Sequence, residues 1–268
     1  MPPNILFIMT DNQPAELLGC YGNEEIHTPH LDRLAAQGIR FDNATCVNGM
    51  CSPCRASVLT GLMPSQHGIH TWLDDRLMDS WPPEWNGIAE FAALPELLRQ
   101  NGYRTALIGK YHVGAPFAPQ NGFEHWVTFP YGHTRSFWGN EIIENGRTHT
   151  YPGHSVDCFT EKAVEYIQHY DADAPFFLFL TYNAPYGHWP AIQGPGIGGL
   201  AAGGADGGDA GHFHGRSRFF SRAQWLLGAR AGYLALQHAR PGIQRTFADV
   251  PTGAYCPATN VQIDGEPD

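Results

Sequence analysis

The residues best suited to catalysis or ligand binding lie in four short segments of the chain. They are Asp11 and Asn12, then Cys51, Cys54 and Arg55, then Lys110 and His112, and finally His188. Carboxylate and amide oxygens are the ligands that Ca²⁺ and Mg²⁺ prefer, and an ionised cysteine is a nucleophile. Lysine binds anionic groups as a compact cation, and histidine exchanges protons near neutral pH. A site that combined them would hold a nucleophile, a cation and a metal ligand.

Three of these segments follow predicted strands. Apolar residues 4–10 precede the Asp-Asn pair, and residues 104–109 lead directly into the lysine. Residues 176–182 form a continuous apolar run before the last histidine, which is typical of a strand buried on both faces. Because α/β proteins bind ligands beyond the carboxyl ends of parallel strands, we expect these segments to converge on one pocket.

Helices are predicted between the strands. Thr28 as the cap, Pro29 at the first helical position and Gly38 at the end bound one helix. Further helices are predicted from just after Pro53 to near Gly61, over residues 94–100, and over residues 156–169. Strands alternating with helices predict an α/β fold with a mostly parallel central sheet flanked by helices.

The most specific motif is Cys51-Ser52-Pro53-Cys54-Arg55, which continues through Ala56-Ser57-Val58 to Leu59-Thr60-Gly61. It resembles the signature of the type I sulfatases, in which a maturation enzyme oxidises the cysteine to formylglycine. The usual serine is replaced here by Cys54. The alternative is a Cys-x-x-Cys redox or metal pair, which the arginine that follows and the rest of the signature disfavour.

Other segments resemble the same family. Residues 4–13 resemble its opening strand and metal-binding acidic pair, so Asp11, Asn12 and the formylglycine derived from Cys51 would bind Ca²⁺, or Mg²⁺ or Mn²⁺. Residues 109–114 resemble its Gly-Lys-x-His box. The resemblance implies that Lys110 binds a sulfate oxygen and that His112 orients the formylglycine hydrate or accepts its proton. These roles are expectations at this point.

The resemblance also assigns roles to two further residues. Arg55, one helical turn after the cysteine, would hold the oxygens of the hydrate. His188, in residues 183–190, would bind sulfate or protonate the leaving alcohol. The fold that the resemblance implies is an α/β sandwich of the alkaline-phosphatase type, incomplete at its C-terminal end.

Composition limits the possible partners. The chain has 268 residues, 43% of them apolar, with 26 acidic and 16 basic residues and a formal net charge of −10. It has no basic block, so we expect neither nucleic acid nor anionic membrane as a partner. No signal sequence or apolar span is visible, and six cysteines are too few for a disulfide scaffold, so we expect a cytoplasmic location.

The resemblance ends near residue 190. Residues 1–190 are predicted to be the N-terminal part of a sulfatase catalytic domain, and residues 191–268 an irregular Gly/Ala-rich tail. The tail is either a linker with a small cap or the product of a shifted reading frame or degraded gene. The second metal-binding pair and the further sulfate-binding lysine of the family are not recognisable in it.

Three functions remain open at the level of the sequence. The first is a metal-dependent sulfuric ester hydrolase that acts on a small-molecule or saccharide sulfate ester and is matured by a formylglycine-generating enzyme. The second is a phosphonate monoester or phosphodiester hydrolase of the same superfamily, which can share the signature and an amide after the first aspartate. The third is a non-catalytic remnant or binding module.

Overall fold

The computed structural model describes residues 2–186 and 254–255. Five α-helices are present in this part of the chain: α1 Pro29–Gln37, α2 Cys51–Thr60, α3 Pro64–His67, α4 Leu94–Gln100 and α5 Ser155–Gln168. The strands are β1 Ile5–Met9, β2 Ile39–Arg40, β3 Arg104–Gly109, β4 His125–Thr128, β5 Trp138–Glu144, β6 Arg147–His154, β7 Phe176–Thr181 and β8 Ala254–Tyr255. No helix in the described part is long and apolar enough to cross a membrane.

Six of the strands form one mixed sheet in the order β1-β7-β3-β4-β5-β6. The pairings of β1 with β7, β7 with β3 and β3 with β4 are parallel, and the last two pairings are antiparallel. Strands β2 and β8 form a separate parallel pair. The predicted α/β class with a mostly parallel sheet is therefore confirmed.

Apolar side chains cover the sheet on both faces. Along β7, Leu178 and Leu180 belong to a core that includes Phe159 of α5, whereas Phe177 and Phe179 belong to a second core that includes Leu59 of α2. Alternate residues of a strand point to opposite faces, so a continuous apolar run is what a strand between two helical layers requires. Fully burying each such side chain contributes about 1.5–3 kcal/mol.

The predicted element boundaries need small corrections. Helix α2 begins at Cys51, earlier than predicted, with Pro53 inside its first turn. Backbone N–H groups in the first turn have no intrahelical partner, so a proline, which lacks an N–H, does not interrupt the helix there. Thr28 precedes α1 but does not cap it with its side chain. Its hydroxyl instead accepts a hydrogen bond from the Gly19 N–H and donates one to Asp32, which joins α1 to the preceding loop.

Candidate active site

Asp11 lies where the pairing of two parallel strands continues past their ends. Its backbone N–H donates to the carbonyl of Ala184 over 3.0 Å, and the N–H of Tyr182 donates to the carbonyl of Met9 over 2.8 Å. These bonds fix the backbone on either side of the carboxylate. The Asp11 side chain is buried at the carboxyl end of β1, as the sequence predicted for a site at this edge.

Lys110 is positioned by the neighbouring strand pair. Its N–H donates to the carbonyl of Thr181 over 2.8 Å, and the Thr181 hydroxyl donates to the Lys110 carbonyl over 2.8 Å. Gly109 makes this close approach possible, because it has φ 123° and a Cβ there would lie 1.8 Å from the Thr181 oxygen. The glycine is needed both for its backbone conformation and for space.

Cys51 is the first residue of α2, and one contact at each end fixes the helix. The Ser52 hydroxyl accepts a hydrogen bond from the Leu73 N–H over 2.9 Å. The helix ends at Gly61, whose φ of 71° gives a left-handed C-cap. The cysteine is therefore held at the start of a well-defined helix, where backbone N–H groups and the helix dipole favour an anion.

The side chains of Asp11, Cys51 and Lys110 meet in one cluster. Lys110 Nζ lies 2.6 Å from Asp11 Oδ2 and 3.2 Å from Cys51 Sγ. The Cys51 sulfur also lies 3.8 and 3.9 Å from the two carboxylate oxygens of Asp11. The structure thus brings together a possible nucleophile, a cation and a carboxylate that are separated by up to 99 positions in the sequence.

Arg55 joins this cluster from within α2. Its Nη1 donates to the Lys110 carbonyl over 2.5 Å, and its Nη2 lies 3.4 Å from Asp11 Oδ2. The guanidinium is almost completely buried, and its Nε has no hydrogen-bond partner within the described residues. Arg55 therefore links the helix to the end of β3 and adds a second positive charge beside the carboxylate.

The charge of Asp11 is stabilised by these cations. Burial by itself would raise the pKa of the Asp11 carboxyl group. The positive charges of Lys110 and Arg55, with the hydrogen bond from Lys110, outweigh burial and hold that pKa below its usual value. With Asp11 ionised and both cations protonated, the cluster has one net positive charge, which is the local cationic site that an anionic substrate needs in so acidic a chain.

His112 is buried beside the cluster in its neutral form. Burial and the nearby charge of Lys110 lower its pKa to about 3. Its Nε2 lies 2.8 Å from the carbonyl of Leu73, which can only accept, so Nε2 carries the proton and donates. Nδ1 is then an acceptor, and it has no partner within the described residues. This histidine can take up a proton only if a new anion or partner stabilises its charged form.

Asn12 is the predicted site residue that the structure places on the surface. It is exposed, and its φ of 54° places the backbone in the left-handed region. His188 lies outside the described residues, as does the boundary predicted at residues 190–191. Cys54 faces Cys46, with 3.0 Å between the two sulfurs. The alternative pairing of Cys54 with Cys51 is therefore not the arrangement in the structure.

Sequence reasoning missed His133, which borders the cluster together with two aromatic rings. The His133 ring lies 6.3 Å from that of His112, 5.6 Å from Trp72 and 5.5 Å from Tyr186. The Tyr186 ring in turn lies 5.5 Å from Lys110 Nζ. His133 belongs to a loop after β4 with no periodicity, so only a tertiary contact reveals its position.

Two of the three predicted metal ligands, Asp11 and Cys51, lie next to each other, with 3.8 Å between the cysteine sulfur and the nearer carboxylate oxygen. Among residues 2–186 and 254–255, no three His, Cys, Asp or Glu side chains are grouped closely enough to hold a metal ion. Asp11 Oδ2 already accepts from Lys110. Ca²⁺ usually takes about six to eight oxygen ligands, and Mg²⁺ a near-ideal octahedron. Water or residues outside this part of the chain would have to complete the coordination of either ion.

Comparison with known proteins agrees with the motifs on which this cluster is built. The model of the sulfatase family matches residues 3–195. The chain belongs to the sulfatase family. The sulfatase match includes every predicted site residue, His188 among them.

Several sulfatases are similar to this chain. An N-acetylglucosamine-6-O-sulfatase of Bacteroides thetaiotaomicron is 34% identical over 197 residues, covering 73% of this chain and 33% of the relative. The human N-acetylgalactosamine-6-sulfatase is 31% identical over 209 residues, covering 69% of this chain and 40% of the relative. A protein solved with its substrate D-glucosamine-2-N,6-O-disulfate superimposes with a TM-score of 0.60 at 32% identity, covering 70% of this chain and 36% of that one.

The chain spans 33–40% of the length of these two sulfatases. The matched region contains the signature cysteine, the Asp-Asn pair and the Gly-Lys-x-His box. The other 60–67% of each relative lies outside the match.

Proposed function

We propose that this chain carries the nucleophile-bearing part of a sulfuric ester hydrolase that acts on a 6-O-sulfated amino sugar. The observation that carries the proposal is the position of Cys51, whose sulfur lies 3.2 Å from Lys110 Nζ in a buried cluster of net positive charge. A thiol at the start of a helix, beside two buried cations, is well placed for a reaction on an anionic ester.

Oxidation of Cys51 to formylglycine would replace its sulfur with an aldehyde. When hydrated, that group supplies one hydroxyl as a nucleophile toward sulfur and a second hydroxyl that later expels sulfate. The Cys51 sulfur stands where an oxygen of this hydrate would lie. Lys110, already within hydrogen-bond distance of that position, would donate to it or to a sulfate oxygen.

The buried cations would stabilise charge on the sulfate group. Lys110 and Arg55 contribute two positive charges against the one negative charge of Asp11. Because these groups are shielded from water and fixed before substrate arrives, their interaction with an anion is stronger than in bulk solvent. The neutral His112, with a free acceptor at Nδ1, would receive a proton as the hydrate attacks.

The names of the relatives support the choice of substrate. The two relatives described above are named as 6-sulfatases of N-acetylglucosamine and N-acetylgalactosamine. The solved relative binds D-glucosamine-2-N,6-O-disulfate as its substrate. We therefore propose the 6-O-sulfate of an amino sugar as the ester, and Ca²⁺ as a cofactor whose further ligands lie outside the described residues.

The first test of the proposal is maturation of Cys51. Trypsin should release residues 41–55 as one peptide, since Arg40 and Arg55 bound it. After co-expression with a formylglycine-generating enzyme, this peptide should lose the thiol of Cys51, gain an aldehyde and react with a hydrazide. Cys51→Ala should abolish the reaction, and Cys54→Ser, which restores the usual signature residue, should retain it. A thiol that persists at position 51 would refute the proposal.

A second candidate function is favoured by one residue. Asn12 follows Asp11 where the family usually has a second acid, and an amide there also occurs in the phosphonate monoester and phosphodiester hydrolases of the superfamily. The matured chain should be assayed with 4-nitrophenyl sulfate, with 4-nitrophenyl phenylphosphonate and with a 6-sulfated N-acetylhexosamine. Turnover of the phosphonate alone would favour the second candidate.

A further inference from the structure

The loop before α2 and the helix itself each carry a cysteine, and the two sulfurs face each other. Cys46 Sγ lies 3.0 Å from Cys54 Sγ, and both side chains are free thiols. A disulfide bond is ~2.05 Å long, so closing it requires a movement of about 1 Å. The two residues come from different local structures, an exposed loop and a buried helical position, so their proximity results from the fold.

We propose that Cys46 and Cys54 form a reversible disulfide that cross-links the loop to the nucleophile-bearing helix and leaves Cys51 free. The oxidant is a low-molecular-weight disulfide such as oxidised glutathione. Neither sulfur takes part in the proposed hydrolysis, so the cross-link stands or falls independently of that function.

The exposures of the two residues suit an attacking and a resolving cysteine. Cys46 is partly exposed, in a loop whose neighbours are mostly exposed, whereas Cys54 is buried. The hydrogen bond between the two thiols lowers the pKa of Cys46 to about 6 and raises that of Cys54. Cys46 is therefore the sulfur that an external disulfide can reach as a thiolate, which is the reactive form.

The exchange is balanced in atoms and electrons. The Cys46 thiolate attacks one sulfur of the external disulfide, whose S–S bond breaks and releases one thiolate. Cys54 then loses its proton, attacks the Cys46 sulfur of the mixed disulfide and expels the second thiolate. Two cysteine thiols are oxidised by two electrons, and the external disulfide is reduced to two thiols that take up the two protons.

The cross-link would have a local mechanical effect. Residues 46–54 would become a closed ring that contains Cys51, so the turn that bears the nucleophile would lose freedom in the unfolded chain. Cys51 itself points away from this pair, toward Asp11 and Lys110. The cross-link would thus occupy the one signature position that departs from the usual serine without consuming the signature cysteine.

The test uses the full chain without maturation, so that all three thiols of peptide 41–55 are present. Folded chain is equilibrated with oxidised or reduced glutathione, free thiols are blocked with iodoacetamide, and disulfides are then reduced and labelled with N-ethylmaleimide. Fragmentation of the peptide assigns each label. In the oxidised sample Cys51 should carry the first label, and Cys46 and Cys54 should be protected from it about tenfold relative to the reduced sample.

Three variants and one further measurement make the result decisive. Cys51→Ala should retain the protection of both sulfurs, as should the matched control Cys20→Ser, whereas Cys54→Ser should stop the exchange at the mixed disulfide, so that Cys46 carries a glutathione adduct in the oxidised sample. Oxidation should raise the midpoint of thermal unfolding by roughly 5 °C in the unmutated chain and not in Cys54→Ser. The proposal is overturned if, in the unmutated chain, Cys51 is protected together with Cys54, if Cys46 carries only a glutathione adduct, or if all three thiols react with iodoacetamide at every glutathione ratio.

Discussion

Removal of the charge on Asp11 should destabilise the chain more than removal of the charge on Lys110. The Lys110 Nζ lies 2.6 Å from Asp11 Oδ2, and Arg55 Nη2 lies 3.4 Å from the same oxygen. The Lys110 and Arg55 side chains are 0% and 1% exposed, and that of Asp11 is 9% exposed. Asp11→Asn leaves two buried cations with no anion, whereas Lys110→Met leaves one cation facing one carboxylate.

The expected magnitudes follow from what each variant leaves behind. Breaking a buried ion pair by removing one partner typically costs about 3–5 kcal/mol, because an uncompensated charge remains. Asp11→Asn should reach this range, since among the described residues it removes the one carboxylate paired with both Lys110 and Arg55. Lys110→Met loses a charged hydrogen bond but keeps the Asp11–Arg55 pair, so we expect a cost of about 2 kcal/mol.

Urea unfolding at neutral pH, in reducing buffer and with Cys51 unmodified, measures these differences through the tryptophan fluorescence of the chain, to which the buried Trp126 contributes. Asp42→Asn is the control, because its partner Arg40 is on the surface and the two side chains are 61% and 43% exposed. Its stability should not change measurably. If Lys110→Met proves more destabilising than Asp11→Asn, the carboxylate is not what stabilises the two cations, and the charge balance assigned to the site is wrong.

Three other outcomes are expected. Gly109→Ala should cost about 3 kcal/mol or more in urea unfolding, because its Cβ would lie 1.8 Å from the Thr181 oxygen. Gly61→Ala, at φ 71° with open space around it, should cost about 1 kcal/mol, and equal costs for the two variants would contradict the close approach at Gly109. The free energy of unfolding should fall by about 2 kcal/mol between pH 7 and pH 5 on account of His112, whose pKa is lowered to about 3. The reason is that this histidine binds a proton below about pH 6.5 in the unfolded chain and does not do so in the folded chain. His112→Asn should remove this part of the pH dependence, and an unchanged pH dependence would show that the ring is not buried in its neutral form. With Cys51 converted to formylglycine, this chain alone should bind Ca²⁺ weakly by calorimetry and should turn over little 4-nitrophenyl sulfate. Tight binding with rapid turnover would show that residues outside the described part complete the metal site.

The sequence predicted the strands that carry the cluster because their signals are local. The bounds predicted for residues 94–100 and 104–109 coincide with α4 and β3, where Asn101-Gly102 separates helix from strand. The convergence of Asp11 and Lys110 was also predictable. Both residues follow strands of a parallel sheet, and the carboxyl ends of such strands meet at one edge.

The hairpin of β5 and β6 was missed although it has a local signal. Asn145 and Gly146 have φ values of 47° and 84°, and Glu144 pairs with Arg147 across the turn. Asn-Gly between two β-rich runs is a strong indication of a two-residue hairpin. The histidine and threonine content of β6 hid the alternation of apolar and polar residues that would have identified the second strand.

Contacts of the cluster beyond its three central side chains were not predictable from the sequence. The proton of His112 is assigned by the carbonyl of Leu73, which is 39 positions away. Position 132 has room only for glycine, because a Cβ there would lie 2.2 Å from Cδ2 of His112. No periodicity or motif links these residues, because their contact depends on how two loops pack after the sheet has formed.

An acidic chain can build a cationic site because the net charge of the chain and the charge of a buried cluster act over different distances. The formal net charge of −10 is spread over a surface where salt screens charges beyond roughly 8–10 Å. Lys110 and Arg55 are buried together with the carboxylate of Asp11, where the effective dielectric is lower and screening is weak. An anion that enters this cluster therefore responds mainly to one net positive charge a few ångströms away. Arrangement, which composition cannot reveal, decides the sign of the potential at Cys51.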